Sequence, residues 1–397
     1  MDDERLDVHF REAHGGAMSD TGEPGAPLKI RGIELREVAI PLVRPFRTSF
    51  GEERDKRAAL VHILTDDAEG WAECVAPPEP RYSEEWLDGA WAMLRDHLGP
   101  AVLRSPEIEQ PDDVANRVGW VRGHRMAKAA LEAAVLDAWL RARSQSLAEF
   151  VGAVRDEVPC GVSVGIAPSV EALLDEVRGY LKQGYRRVKL KIEPGRDIDV
   201  VRAVRQALPE TPLSVDANAA YTLEDAAIFE ALDELELVMI EQPLQEEDLV
   251  DHAKLQSRLR TPICLDESIR SAADTAAAIE LGACRVINIK PGRVGGILES
   301  KRLRDVASAH GIDLWIGGML ETGVGRAGNL ALAAMEGVTM PGDTSASGRY
   351  FKQDLTEPFV LDPDGTMKVP EGLGIGVEPL PDRLDACTVR VKSIPRD

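Results

Sequence analysis

The chain has 397 residues, 44% of them hydrophobic and 29% charged, with a formal net charge of −21. This is an ordinary soluble globular composition, long enough for two domains or one large barrel with an accessory domain. The acidic balance excludes a nucleic-acid binder, whose partner demands basic patches, and no apolar run approaches the roughly 18 residues of a membrane span.

Residues 1–27 are polar and lack a secretory apolar core, and they read as a disordered N-terminal extension. From residue 28 the pattern is strand-like: LKIRGIELREVAIPL, then AALVHIL, then GWAECV. Between the first two lies RPFRTSFGEERDKR, read as a loop punctuated by Gly and Pro. Two helical patterns follow, SEEWLDGAWAMLRDHLG and GHRMAKAALEAAVLDAWLRARSQ, the second rich in Ala and Leu at helical spacing. Residues 28–150 thus form a small α+β domain. Five cysteines, Cys74, Cys160, Cys264, Cys284 and Cys387, contain no CxxC pair, which points to reduced thiols and a cytoplasmic protein.

From Cys160 the organisation changes. Short apolar runs recur: CGVSVGI at 160, RVKLKI at 187, LSVDAN at 213, VMIEQP at 238, ICLDES at 263, VINIKP at 286 and DLWIGG at 313. Helical patterns fill the gaps. Seven β/α units in series over 151–345 fit a closed parallel barrel better than an open doubly wound sheet. The remainder, 346–397, reads as a C-terminal segment returning to the first domain.

In such a barrel, function sits at the C-terminal ends of the strands. Those ends carry Lys189 and Lys191, Asp216 and Asn218, Glu241 and Gln242, Asp266 and Glu267, Lys290, and then Gly317, Gly318 and Glu321. Asp216, Glu241 and Asp266 recur every 25 residues, so three carboxylates stand at one level on neighbouring strands. They repel one another unless a counter-ion joins them. Three hard oxygen ligands suit octahedral Mg²⁺; a salt-bridged cluster with the lysines is the alternative. Asn218 and Glu267 fit helix caps, or groups that hold the ligands from behind.

Lys191 and Lys290 flank the acids on roughly opposite sides of the ring. A metal between two lysines suits the abstraction of a proton next to a metal-bound carboxylate, with the resulting enediolate stabilised by the metal. One lysine takes the proton. The other returns one, giving racemisation, or polarises a leaving group, giving elimination. The working lysine must be neutral near pH 7, and Lys189 and the metal would depress its pKa. Strand alternation puts Lys189 and Lys191 on one face and Val188, Leu190 and Ile192 on the other, so the lysines face the barrel interior.

The motifs KLK at 189–191, DAN at 216–218, EQP at 241–243, LDES at 265–268 and NIKPGRVGG at 288–296 resemble the muconate-lactonizing-enzyme-like subgroup of the enolase superfamily, whose sites pair a Lys or His base with Mg²⁺. Longer stretches are similar to the o-succinylbenzoate synthase / N-succinylamino-acid racemase group: PLVRPFRTSFG at 41–51, GHRMAKAALEAAVLDAWLR at 123–141, GGMLETGVGRAGNLALA at 317–333 and PGDTSASGRYF at 341–351. The resemblance runs from about residue 28 to the C-terminus.

The resemblance implies a modified (β/α)7β TIM barrel with an N-terminal α+β capping domain. It implies Mg²⁺, or Mn²⁺ or another divalent metal, on Asp216, Glu241 and Asp266, with Glu267 behind them. Lys191 is then the acid/base of one face. Lys290 is the base of the other face, or a cation–π partner in dehydration, and Lys189 tunes Lys191. Phe46 and Phe50 would close over a small carboxylate substrate, which Ser163, Asn218, Arg293, Gly318, Met319 and Glu321 would touch. Arg293 also resembles the arginine of members that racemise. The implied reactions are dehydration to o-succinylbenzoate in menaquinone synthesis, racemisation of N-succinyl or other N-acyl amino acids, or both. A dipeptide epimerase or cycloisomerase is the alternative, and GDTSASG stands where an epimerase would carry its specificity aspartates. An inactive barrel serving as a binding protein would show damage among the site residues, and none is evident. Neither nucleic acid nor a membrane is an expected partner, whereas a homo-oligomer, from dimer to octamer, is.

Overall fold

The computed structural model describes residues 26–48 and 51–395. The expected disordered extension, through residue 25, and Phe50 of the expected lid lie outside the described residues. Strand β1 (Leu28–Thr48) pairs antiparallel with β2 (Gly51–Thr65), β2 with β3 (Glu69–Cys74), and a two-residue β4 (Glu107–Ile108) pairs with the start of β1. Alternation gives this sheet two apolar faces. Leu28, Ile30, Ile33, Leu35, Val61 and Ile63 enter the core of the first domain; Val38, Ile40, Ala58 and Leu60 pack instead against Tyr350, Phe351 and Leu355.

The segment read as a loop is mostly a hairpin arm. After an irregularity between Pro41 and Phe46, pairing resumes at Phe46–Glu53, Arg47–Glu52 and Thr48–Gly51. Proline is tolerated on such an arm because one side of the ladder is unpaired. The arm rests on the barrel. Ile166 N donates to Arg47 O at 3.1 Å, and Gly165 leaves room for that carbonyl, which a Cβ would approach to 2.9 Å.

Helix α1 (Arg125–Arg141) lies between the sheet and the barrel, and so it is buried on nearly every side, from Met126 to Leu140. Two of its acids are structural. Glu132 accepts from Ile297 N (3.1 Å) and Leu298 N (2.8 Å), the first amides of a barrel helix. Asp137 accepts from Trp71 N (2.8 Å) and Ile375 N (2.7 Å) and pairs with Arg141 (3.0 Å). Burial outweighs these bonds and pushes Glu132 up to about 7 and Asp137 up to about 6. The folded chain therefore keeps protons that the unfolded chain releases near pH 4. The stability these two groups contribute falls as pH rises through the window from about 4 to 7 and levels off above it. Within that window each such carboxyl costs about 1.4 kcal/mol for every step of one in pH. Glu132→Gln removes its share. Melting temperature followed by calorimetry from pH 4.5 to 8 should fall more gently in that variant than in the parent.

The second domain is a barrel. After β5 (Glu157–Pro159), strands β6 (Gly161–Val164), β7 (Arg187–Lys191), β8 (Leu213–Asp216), β9 (Ile240–Glu241), β10 (Ile263–Leu265), β11 (Val286–Ile289) and β12 (Asp313–Ile316) form one parallel sheet in sequence order. Helices α2 (Val170–Gln183), α3 (Ile198–Ala207), α4 (Ala226–Asp233), α5 (Leu249–Gln256), α6 (Ala272–Leu281), α7 (Ile297–Ala309) and α8 (Gly323–Ala333) cover it. Several start on a side-chain cap, as at Ser169, Asp248 and Ser271. The ring closes through residues 341–343. Gly161 N donates to Gly342 O (2.7 Å), and Asp343 N donates to Ile316 O (3.2 Å).

Val188, Leu190 and Ile192 join the core shared with the helices. Inside the ring, Met239, Cys264, Val286 and Trp315 form an apolar floor, with Trp315 Nε1 directed at Cys264 Sγ (3.3 Å). Beyond the barrel, β13 (Thr366–Lys368) pairs with β5, and β14 (Thr388–Pro395) pairs antiparallel with β1, from Gly32–Pro395 to Val38–Thr388.

Candidate active site

The strand register decides which side chains share the barrel interior. Lys189 is level with Ser163 and Ser214, Lys191 with Asp216, and Asp216 with Glu241. Cys264 is level with Glu241 and Val286, which places Asp266, Asn288 and Lys290 on the same inward face. A charged layer thus sits on the apolar floor. Arg187 and Lys189 lie over the Trp315 ring at 4.5 and 4.8 Å.

Lys189 is 3% exposed and meets three carboxylates: Glu241 at 2.6 Å, Asp343 at 2.8 Å and Asp216 at 3.1 Å. Burial pulls its pKa down, but those three charges together hold it above the ordinary lysine value. Lys191 Nζ donates to Asp216 Oδ2 and Asn218 Oδ1, both at 2.6 Å. Burial works against Asp216, yet Lys191 and Lys189 hold its carboxyl well below the usual range. Glu241 moves the other way: burial, then the charge of Asp216, raises it. Its second oxygen accepts from Asn288 Nδ2 at 2.8 Å.

Asp266 closes the row. Its Oδ2 accepts from Lys290 at 2.7 Å and its Oδ1 from Arg293, while the Tyr82 hydroxyl stands 3.4 Å from both oxygens. Lys290 also donates to Tyr82 OH (3.1 Å) and lies 4.7 Å from that ring's centre. Burial lowers Lys290, but the Tyr82 hydroxyl, then the charges of Glu267, Glu241 and Asp216, outweigh it and leave it above its ordinary value. Every nearby carboxylate favours its ammonium form.

Glu267 accepts from Asn218 Nδ2 at 2.9 Å, and burial, then the charge of Asp216, pushes it up to about 7. Gln242 binds the turn after β10 with Oε1, accepting from Asp266 N (3.0 Å) and Ser268 N (3.2 Å). Asn218 and Gln242 both stand at positive φ, 43° and 35°, the kind of backbone strain that gathers at functional sites.

These groups open onto a cavity of about 370 Å³ between the two domains. Phe46, Ser163, Lys189, Lys191, Asn218, Lys290, Gly318 and Met319 line it, joined by Tyr82, Leu320, Asp343 and Tyr350. Ser163 Oγ is buried without a protein hydrogen-bond partner. Asp216, Glu241 and Asp266 lie beneath the lysines. Two residues expected to touch substrate are not in this lining. Arg293 is drawn back to Asp266 and to the carbonyls of Ile269 (2.8 Å) and Asn288 (2.6 Å). Glu321 is turned towards Glu73 and Lys56 of the first domain. Glu267 holds Asn218.

Four partners escaped the sequence reading: Arg187, which binds Asp343 at 2.9 Å, Asp343 itself, Asn288 and Tyr82. Alternation alone puts Arg187 beside Lys189, and Asn288 beside Lys290. Tyr82 and Asp343 come from loops and gave no such signal.

The donor set suits a hard divalent cation. It is all carboxylate oxygen, and Asp216 and Glu241 crowd negative charge on adjacent strands, which such a cation would relieve. Among the described residues no three His, Cys, Asp or Glu side chains meet as a ready-made metal cage; each of the three carboxylates is instead held by a lysine.

Comparison with known proteins agrees with this layout. Residues 172–383 match the family described as Enolase C-terminal domain-like, and residues 30–152 match Mandelate racemase / muconate lactonizing enzyme, N-terminal domain. The N-succinylamino acid racemase of Amycolatopsis sp is 55% identical over 362 residues, 91% of this chain and 98% of that protein. The o-succinylbenzoate synthase of Geobacillus kaustophilus is 47% identical over 352 residues, 88% of this chain and 94% of that one. A solved enolase-superfamily member from Listeria innocua Clip11262 superposes with a TM-score of 0.89 at 41% identity, covering 93% of this chain and all of its own. Matched in both regions and similar to these relatives over most of its length, the chain belongs to the enolase superfamily, within the mandelate racemase / muconate lactonizing enzyme family.

Proposed function

We propose that this protein is a Mg²⁺-dependent enzyme that removes the α-proton of an N-succinyl or other N-acyl amino acid and returns it on either face. On the same site it dehydrates the cyclohexadiene-carboxylate precursor of o-succinylbenzoate. The observation that carries this reading is a row of three carboxylates, Asp216, Glu241 and Asp266, with a cavity-lining lysine bound at each end, Lys191 and Lys290. The racemase and synthase relatives give the reaction class.

Asp216, Glu241 and Asp266 would hold the cation, which supplies positive charge to the substrate carboxylate as its neighbouring carbon becomes an enediolate. Lys191 and Lys290 address the α-carbon from two sides. For either to accept a proton, its amine must first give up the carboxylate that now keeps it charged. Asn218 orients Lys191, and Tyr82 orients Lys290. The capping domain, residues 28–150, covers the mouth with Phe46 and the arm, excluding water from the carbanionic centre. In dehydration Lys191 takes the proton and then assists hydroxide departure, while Lys290 faces the substrate's π-system. Five free cysteines fit a cytoplasmic setting, and we expect a homo-oligomer.

The test is direct. Purified protein with Mg²⁺ is given N-succinyl-phenylalanine, followed by polarimetry, and the diene carboxylate, followed by absorbance. Turnover of both is the expected result, and turnover of neither sinks the proposal. Turnover of an L-Ala-Glu dipeptide instead would move the protein to the epimerase branch, represented here by a relative of 27% identity.

A further inference from the structure

One wall of the cavity is held in a strained shape by the other domain. Leu320 stands at φ 55°, a left-handed conformation that leucine rarely takes and that persists only where its surroundings over-determine it. Both flanks of Leu320 are fixed by a buried ion pair from the capping sheet. Lys56 on β2, 4% exposed, donates to Met319 O at 2.9 Å and pairs with Glu73 at 3.2 Å. Glu73 on β3 accepts from Thr322 N at 2.9 Å and from Thr322 Oγ1 at 2.7 Å.

The apolar packing tells the same story. Met319 and Leu320 belong to the barrel chain, yet Met319 packs against the core of the capping domain, and Leu320 packs with the cluster of Val38, Ile40 and Leu60. A buried ion pair adds little stability that apolar residues of the same volume would not. What it adds is direction: a donor for one carbonyl and an acceptor for one amide, on opposite sides of the strained position.

We propose that Lys56 and Glu73 are positioning residues that clamp residues 319–322 and so set which substrate side chain the enzyme accepts. The proposal rests on the reaction assigned above. The lysines and carboxylates take the substrate's carboxylate end. The wall made by Met319 and Leu320 offers a thioether and an isobutyl group, so the selected part is a bulky apolar side chain. Met319 adapts to shape by its flexibility, and the clamp limits that adaptation from the backbone.

The test removes both charges together, so that neither is left buried alone. In Lys56→Met/Glu73→Gln, KM for N-succinyl-phenylalanine should rise about tenfold, within the range of pocket contacts, with kcat within about threefold. KM for N-succinyl-alanine should change less than about threefold. Hydrogen exchange of a peptide spanning 318–322 should quicken while that of α1 does not. Leu320→Gly accepts positive φ freely, so in that background the same double change should move KM less than about twofold. Should the double variant not fold, Glu73→Gln alone, which keeps an acceptor for Thr322, gives the same readouts. Unchanged exchange at 318–322, or an equal KM rise for both substrates, overturns the clamp. If the parent protein turns over neither substrate, the assigned reaction falls, and exchange still decides the clamp.

Discussion

Lys191→Ala abolishes racemisation and dehydration together, with kcat lower by at least about 10³-fold, the upper range of general acid–base catalysis. Both reactions begin with the same proton transfer, and the geometry offers no substitute on that face. Lys189 is the nearest amine, but Glu241, Asp343 and Asp216 pin it at 2.6, 2.8 and 3.1 Å. Lys290 sits at the far end of the carboxylate row with Asp266 and Tyr82. Lys290→Ala also stops racemisation, from the opposite face. It leaves solvent deuterium exchange at the α-carbon for one enantiomer and removes it for the other, because only one of two faces has lost its base. Proton NMR in D₂O reads both variants. Loss of exchange for both enantiomers in Lys290→Ala, or activity of Lys191→Ala within tenfold of the parent, would refute the two-base arrangement.

Chelation has the second largest effect. EDTA should lower both activities by at least about 10²-fold, the scale of losing one charge-stabilising group in a transition state, and Mg²⁺ should restore them. In Glu241→Gln, Mg²⁺ should not restore them at the same concentrations. This variant is informative because it is gentle elsewhere. The amide oxygen still accepts from Asn288, and Lys189 keeps Asp343 and Asp216 as partners, so the barrel should remain folded by circular dichroism. Full activity of Glu241→Gln with unchanged Mg²⁺ dependence would remove Glu241 from the metal assignment.

Much of this site was legible from strand ends alone. Strands β7 to β11 are apolar runs that finish in a charge, and a period of two tells which charges share a face. That is why RVKLKI could be placed with both lysines inward. The same rule, carried two residues back, would have added Arg187. Three features were not legible, each for a physical reason. The two sides of the arm, Phe46 to Thr48 and Gly51 to Glu53, carry no apolar alternation, since backbone pairing and contact with the barrel hold them rather than a buried face. The closure at 341–343 rests on two backbone hydrogen bonds with no apolar run to announce it. Arg293 sits only three residues beyond Lys290, but the short helix Pro291–Val294 turns it behind Asp266 instead of into the cavity.

The pairing of β14 with β1 bears on how the protein is made. Gly32 to Val38 pair with Thr388 to Pro395, so the sheet that opens the chain is finished by residues translated more than three hundred positions later. A ribosome emits domains in order, and most fold as they emerge. Here the barrel can close once residues 341–343 are out, while the edge of β1 waits beside it unpaired. The outer edge of the capping sheet is therefore the last part of the molecule to pair during synthesis. A nascent chain arrested before residue 388 should hold a formed barrel under an incomplete cap.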